Sequence, residues 1–104
     1  MKIEESQPLY VISVVAKMIG VHAQTLRYYE REGLISPSRS AGRIRLYSMR
    51  DIEKLQRVKT LMDELGVNLA GVEIILNLMD RIADMESRMK AMEQELGQSG
   101  EVQA

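Results

Sequence analysis

Residues 16–47 read AKMIGVHAQTLRYYEREGLISPSRSAGRIRLY. Just ahead of this stretch, Ser13 stands where a helix N-cap would, with a hydroxyl able to satisfy a free amide of the first turn. Val14, Val15, Ala16, Met18 and Ile19 then make a short apolar helix. Gly20 ends it, because glycine enters the left-handed conformation of a helix C-terminus without strain. Ala16, four residues earlier, is small and lets a second helix approach. His22 or Ala23 opens that second helix. Leu26 and Tyr29, with Val21 just before them, form its inward side, while Gln24, Arg27, Tyr28 and Arg31 recur at i, i+3, i+4 and i+7 on the opposite side. Gly33 ends the helix, and Pro37 forbids its continuation. Arg43 and Arg45 then alternate with Ile44 and Leu46, the period-two sign of a half-exposed strand. The Ser40-Ala41-Gly42 tip reads as a hairpin turn. Such a ribbon displays Arg39, Arg43 and Arg45 on its rim and turns Ile44 and Leu46 toward the body. The spacing therefore predicts a helix-turn-helix followed by a β-ribbon wing.

On the N-terminal side, residues 1–8 read as disordered or extended, ending at Pro8, and Leu9-Tyr10-Val11-Ile12 as a short β-type run. On the C-terminal side, Ser48-Met49-Arg50-Asp51 resembles a capping box with Asp in place of the usual Glu. It opens a third helix with apolar positions at Ile52, Leu55, Val58 (or Leu61), Met62 and Leu65, stopped by Gly66. Asn68 is a good N-cap for a fourth helix beginning at Leu69. From Ile75 the apolar spacing changes to alternating threes and fours: Ile75, Leu78, Ile82, Met85, Met89, Met92 and Leu96. Positions 75, 82, 89 and 96 serve as a and positions 78, 85 and 92 as d of a heptad, which is the coiled-coil signal. A helix over 69–96 is about 40 Å long at 1.5 Å per residue. With one apolar seam it needs a partner, and another copy of the chain is the natural one. The fold class expected is mainly α: a winged helix-turn-helix head with a small ribbon over 9–66, dimerisation helices forming a coiled coil over 67–97, and a disordered tail over 98–104.

The composition narrows the function. The chain has 104 residues, eight Met, no Phe, no Trp and no Cys. A core built from Leu, Ile, Val, Met and four Tyr leans on oligomerisation. Without cysteine there are no disulfides, thiolate metal sites or thiol nucleophiles. No apolar run approaches 18 residues and the N-terminus is acidic and polar, so neither a spanning helix nor a signal peptide is expected, and the protein is expected in the cytoplasm, away from membranes. The net charge of −1 argues by itself against a nucleic-acid partner. Its distribution argues the other way: residues 23–59 carry nine basic side chains against four acidic ones, net +5, whereas residues 60–104 carry three against nine, net −6. A basic head on an acidic pairing element is the asymmetry of a DNA-binding module. Gln24 and Arg27 supply an amide and a guanidinium, the groups that match adenine and guanine edges in the major groove. The wing arginines read as nearly free of carboxylates.

Other chemistry is weaker. Arg50, Lys54 and Arg57 read as a solvated face, with at most one phosphate contact. His22 is the single histidine and reads as a cap or a phosphate neighbour rather than a metal ligand or a base. No convergent acid pair suggests catalysis, so no enzyme and no cofactor are expected. Tyr47 reads as packed between wing and third helix, with a phosphate hydrogen bond as the sharper alternative. Met85, Met89 and Met92 read as seam residues before they read as a soft-metal or ligand stripe.

The run Gln24-Thr-Leu-Arg-Tyr-Tyr-Glu30, then Gly33-Leu-Ile35, Pro37, Arg39, Gly42, Arg45, Tyr47-Ser48 and Asp51-Ile52, resembles the MerR family of winged-helix transcription regulators. Val21-His-Ala-Gln-Thr-Leu-Arg27 and Gly66-Val-Asn-Leu-Ala-Gly-Val72 resemble its HspR-like branch, repressors of heat-shock chaperone genes. The resemblance implies a homodimer joined by an antiparallel coiled coil, with two heads in successive major grooves of an inverted-repeat operator in double-stranded DNA. By position, Gln24 and Arg27 would meet base edges, while Tyr28 or Tyr29, Arg39, Arg43 and Arg45 would grip phosphates or the minor groove. It also implies a DnaK-type chaperone as a candidate co-repressor. Two features depart from other members: metal sensors carry cysteines near the dimer helix and drug sensors carry a further C-terminal domain, and this sequence has a counterpart of neither. Residues 66–72 and the heptad helix are also similar to CbpM-type chaperone modulators, adaptors that share the head but bind a J-domain co-chaperone. The arginines at 27, 39, 43 and 45 favour the DNA reading, since an adaptor has no use for them there.

Overall fold

A computed structural model of the chain describes residues 4–103, and side chains as far as residue 98. The order is β1 (Tyr10–Val11), α1 (Ile12–Ile19), α2 (Ala23–Arg31), β2 (Ser38–Arg39), β3 (Arg45–Tyr47), α3 (Met49–Lys59), a π-helical turn (Thr60–Glu64) and α4 (Leu69–Gln103). The chain divides into two compact units, Met1–Asn68 and Leu69–Ala104. The fold is thus mainly helical with one small antiparallel sheet, as the periodicities predict.

In the first unit the strands lie in the order β1-β3-β2. Tyr10 pairs with Tyr47 and Val11 with Leu46 on one side of β3; Ser38 pairs with Leu46 and Arg39 with Arg45 on the other. The wing is thereby anchored to the N-terminal run, a third strand that the local pattern at 9–12 only half reveals. Pairing through Val11 also moves the start of α1. Val11, extended at φ −78° and ψ 159°, is the N-cap and makes no side-chain cap bond, so Ser13 lies inside the helix and does not cap it.

The core of this unit is Val15, Ala16 and Ile19 from α1, Leu26 and Tyr29 from α2, Leu34, Ile35 and Tyr47, and Ile52, Leu55 and Val58 from α3. Each full-sized apolar side chain buried here contributes about 1.5–3 kcal/mol. The junctions follow their sequence signals. Gly20 takes φ 84° and donates its N–H to the Ala16 carbonyl at 2.9 Å. Gly33 takes φ 79°, with the Leu34 N–H on the Tyr29 carbonyl at 3.0 Å. At the start of α3, Ser48 Oγ accepts the Asp51 N–H at 3.1 Å while Asp51 Oδ2 accepts the Ser48 N–H at 2.9 Å. That is the reciprocal box read from the sequence, and it satisfies two amides that no helical carbonyl reaches.

Three further places in this unit depart from expectation. The end of the third helix widens into the π turn, closed by the Leu65 N–H on the Thr60 carbonyl at 3.1 Å. The wider turn rotates Leu65 off the apolar stripe, and it is exposed rather than buried. Ile44, expected to face the body, is 56% exposed because the ladder ends at Arg45 and leaves it in the turn. Residues 4–8 are also tied in: the Glu5 carbonyl accepts the Arg50 N–H at 2.9 Å, serving a free amide in the first turn of α3. Residues 1–3 of the expected disordered arm lie outside the described residues.

The second unit is α4, 35 residues and so about 52 Å long. Its helical backbone runs to Gln103, whereas a disordered tail was expected from residue 98. Glu93, Gln94, Glu95 and Gln98 are good helix formers and no proline interrupts them, so Gly97 and Gly100, at a cost of about 1 kcal/mol each, do not end the helix. Ala104 lies outside the described residues.

Candidate nucleic-acid interface

Helix α2 brings Gln24, Arg27, Tyr28 and Arg31 onto one outer face. Gln24, Tyr28 and Arg31 are exposed and Arg27 is half-exposed. The face exists because the opposite one is used: Leu26 and Tyr29 are buried and hold the helix against α1. Of the two tyrosines carried over from the family pattern, Tyr28 is exposed, whereas the Tyr29 ring is packed in the core, its centroid 6.0 Å from that of Tyr28. Burial, then the nearby Asp63 carboxylate, pushes the Tyr29 phenol above its ordinary pKa. His22 occupies the N-cap position of α2, but its side chain makes no cap bond. Its carbonyl instead accepts the Thr25 N–H at 3.0 Å.

The wing holds its arginines differently from the sequence expectation. Arg43 stands exposed in the turn at φ 64°, a left-handed conformation that disfavours any residue with a Cβ. The turn holds it there: the Arg43 N–H donates to the Ser40 carbonyl at 2.8 Å, and Ser40 Oγ accepts the Ile44 N–H at 3.1 Å. Arg39 and Arg45 are not free of carboxylates. Arg45 Nε donates to Glu30 Oε1 at 2.7 Å, and Arg39 Nη2 donates to Glu30 Oε2 at 2.8 Å. The side chains are 44% (Arg39), 27% (Arg45) and 19% (Glu30) exposed, so each guanidinium still shows part of its edge to solvent.

Tyr47 is fully buried, which removes the phosphate contact weighed for its hydroxyl. That hydroxyl has no hydrogen-bond partner among the described residues. Burial pushes its phenol above the ordinary value, Glu30 adding to the rise and Arg45 and Arg39 opposing it. Lys59, counted among the basic residues of the head, is used internally: its Nζ donates to the Ile19 carbonyl at 2.8 Å and closes the C-terminus of α1. It passes 3.1 Å from where a Cβ on Gly20 would sit, so this glycine also leaves room for the lysine. Arg50 stands 3.9 Å from Glu5 at a highly exposed site, an ion pair of little energetic weight.

On α4 the heptad positions form a separate feature. Ile75 is half-buried, and Leu78, Ile82, Met85, Met89, Met92 and Leu96 are between 51% and 73% exposed, an uncovered apolar seam. No group of three or more His, Cys, Asp or Glu side chains among the described residues is placed to hold a metal ion. No helix among them is long and apolar enough to cross a membrane.

Sequence reasoning missed Glu30 and Lys59. Glu30 carried one available signal, as the single acid within the otherwise basic helix α2; nothing local marks Lys59.

Comparison with known proteins agrees with this geometry. The family model described as MerR HTH family regulatory protein matches residues 10–78. A Streptomyces coelicolor protein assigned the name heat shock protein HspR is 49% identical over 87 residues, which are 84% of this chain and 58% of that one. The chain spans about half the length of the curated relatives it matches. Among solved structures, a transcription regulator from Ralstonia metallidurans in complex with lead(II) is similar at a TM-score of 0.64 and 30% identity, over 85% of this chain and 83% of that one. A MerR family regulator lacking the sensor domain, solved bound to promoter DNA, shares the fold at a TM-score of 0.60 and 21% identity, over 86% of this chain and 74% of that one. The family is one of regulators and not of enzymes. The chain belongs to the MerR family of helix-turn-helix regulatory proteins.

Proposed function

We propose that the chain is a cytoplasmic, homodimeric, sequence-specific DNA-binding regulator that represses heat-shock or chaperone genes by occupying an inverted repeat. The observation that carries this reading is the outer face of α2, where Gln24, Arg27, Tyr28 and Arg31 stand together beside the arginine-bearing wing. Residues 9–66 are the reading head and residues 67–97 the pairing element. The uncovered seam from Leu78 to Leu96 supports pairing with a second copy. Two heads at a fixed separation then meet two half-sites, and occupancy of a promoter excludes polymerase. Phosphate contacts by arginine supply most of the affinity and make it fall with salt. Gln24 and Arg27 supply discrimination, on the order of 1–3 kcal/mol for each good base contact. The repressor role and the heat-shock targets rest on the likeness to HspR. A DnaK-type chaperone acting as co-repressor belongs to the same proposal.

The adaptor reading keeps one observation in its favour: a single carboxylate occupies two of the three wing arginines. Selection of bound sequences from a random double-stranded DNA pool at about 150 mM salt separates the two. Recovery of an inverted repeat is expected. Recovery of nothing by a folded, dimeric protein would transfer the function to a protein partner such as a J-domain co-chaperone.

A further inference from the structure

Glu30 sits in the last full turn of α2 and reaches both strands of the wing. Its Oε1 accepts from Arg45 Nε at 2.7 Å and from Arg39 Nη2 at 3.2 Å, and its Oε2 accepts from Arg39 Nη2 at 2.8 Å. Arg39 and Arg45 are direct partners in the β2–β3 ladder. Like charges directly opposite each other destabilise an antiparallel pair, and β2 is only two residues long. A carboxylate between the two guanidinium groups offsets that repulsion. It also joins the wing to the end of the helix that carries Gln24 and Arg27. Arg43, by contrast, has no ion pair among the described residues. A carboxylate on a surface meant for phosphate subtracts from raw affinity, since it removes positive charge where counterions are to be displaced. Its place here makes sense if orientation matters more than raw attraction.

We propose that Glu30 is a positioning residue that fixes the Arg39 and Arg45 guanidinium groups against the end of α2 and, by neutralising one of their charges, lowers the affinity for DNA of arbitrary sequence relative to the operator. This rests on the DNA-binding reading above. The role differs from that of a merely structural ion pair, which would raise or lower binding to all sequences together through stability alone.

The test uses the full chain, fluorescence anisotropy and two labelled duplexes, one of mixed sequence and one carrying the selected inverted repeat, across a range of salt concentrations. Glu30→Gln keeps the size of the side chain and removes its charge. It is expected to bind the mixed-sequence duplex more tightly, by about eightfold at 0.1 M salt for each head engaged, with the slope of log K against log salt steeper by about 0.9 per head. The preference for the repeat falls accordingly. Arg43→Gln is expected to make the wild-type slope shallower by about 0.9 per head and Arg39→Gln by clearly less, because the Arg39 charge is already committed. An unchanged slope and preference in Glu30→Gln would overturn the proposal, as would parallel weakening on both duplexes with a lowered melting temperature. Equal slope losses in Arg39→Gln and Arg43→Gln would overturn it too, and this exposed pair decides the matter if Glu30→Gln does not fold. A wild-type chain that binds neither duplex sinks the DNA reading itself. One that selects an operator while the variants miss this pattern sinks only the role of Glu30.

Discussion

Replacing Met85 with glutamate tests the pairing helix at its middle. The seam runs from Ile75 to Leu96, and Met85 lies at its centre. In the proposed antiparallel pair of identical helices, a two-fold axis at the centre of the seam would bring Met85 close to its own copy. The side chain is 61% exposed in the single chain. Full burial of a methionine is worth about 1.5–3 kcal/mol, so covering this remaining fraction contributes about 0.9–1.8 kcal/mol per copy. The two copies lost together come to about 2–4 kcal/mol, which is roughly a 30- to 900-fold rise in the dimer dissociation constant. Two carboxylates brought face to face in the seam add to that. Glutamate is a good helix former, so α4 itself is not weakened by the substitution. Sedimentation across a range of concentrations reads the dissociation constant, and far-ultraviolet circular dichroism reports the helix. Met85→Leu is expected to tighten the pair, since leucine at a d position packs with a better-defined geometry than a flexible thioether. Dimer dissociation constants that are equal in wild type and Met85→Glu would refute the assignment of this seam to pairing.

Four further outcomes follow from the head. Ser48→Ala removes one half of the capping box and is expected to lower stability by about 1 kcal/mol in thermal or urea unfolding, with no loss if the box is unimportant. Tyr47→Phe removes a buried hydroxyl without a partner among the described residues, so stability is expected to hold or to rise by about 1 kcal/mol, and a loss beyond that would reveal an unseen partner. Because burial raises the Tyr29 and Tyr47 phenols in the folded state, their contribution is complete below the unfolded value of about 10 and is lost as pH rises through the higher folded values. Alkaline melting curves should thus fall above about pH 10, and less steeply in Tyr47→Phe. Arg27→Ala is expected to relax sequence preference, whereas Arg45→Ala weakens all sequences alike; equal loss of preference in both would end that division of labour.

Much of the fold is legible because its signals are local. Gly20 and Gly33 mark helix ends through their own backbone freedom, Ser48 and Asp51 mark a helix start three residues apart, and Leu26 and Tyr29 mark an inward face by helical spacing. The seam on α4 is legible for the same reason. What the sequence leaves hidden depends on partners distant along the chain. Arg39 and Arg45 find Glu30 across 9 and 15 residues, and Lys59 finds the Ile19 carbonyl across 40. Ser13 loses its capping place to a strand pairing between Val11 and Leu46. Leu65 leaves the apolar stripe because the backbone widens by one residue at Thr60–Glu64, a change that no side-chain pattern encodes. Tyr29 shows how two kinds of reasoning can disagree: its spacing placed it inside, its family motif offered it as a ligand contact, and the core is where it lies.

In the proposed dimer, two basic heads joined through α4 read two halves of one site. An anisotropy titration of the wild-type chain tests this most directly, comparing a duplex with both halves of the selected repeat with one in which a half is scrambled. The intact repeat is expected to bind about 10²–10⁴ times more tightly, with one dimer per duplex. Equal affinity for the two duplexes would contradict the claim.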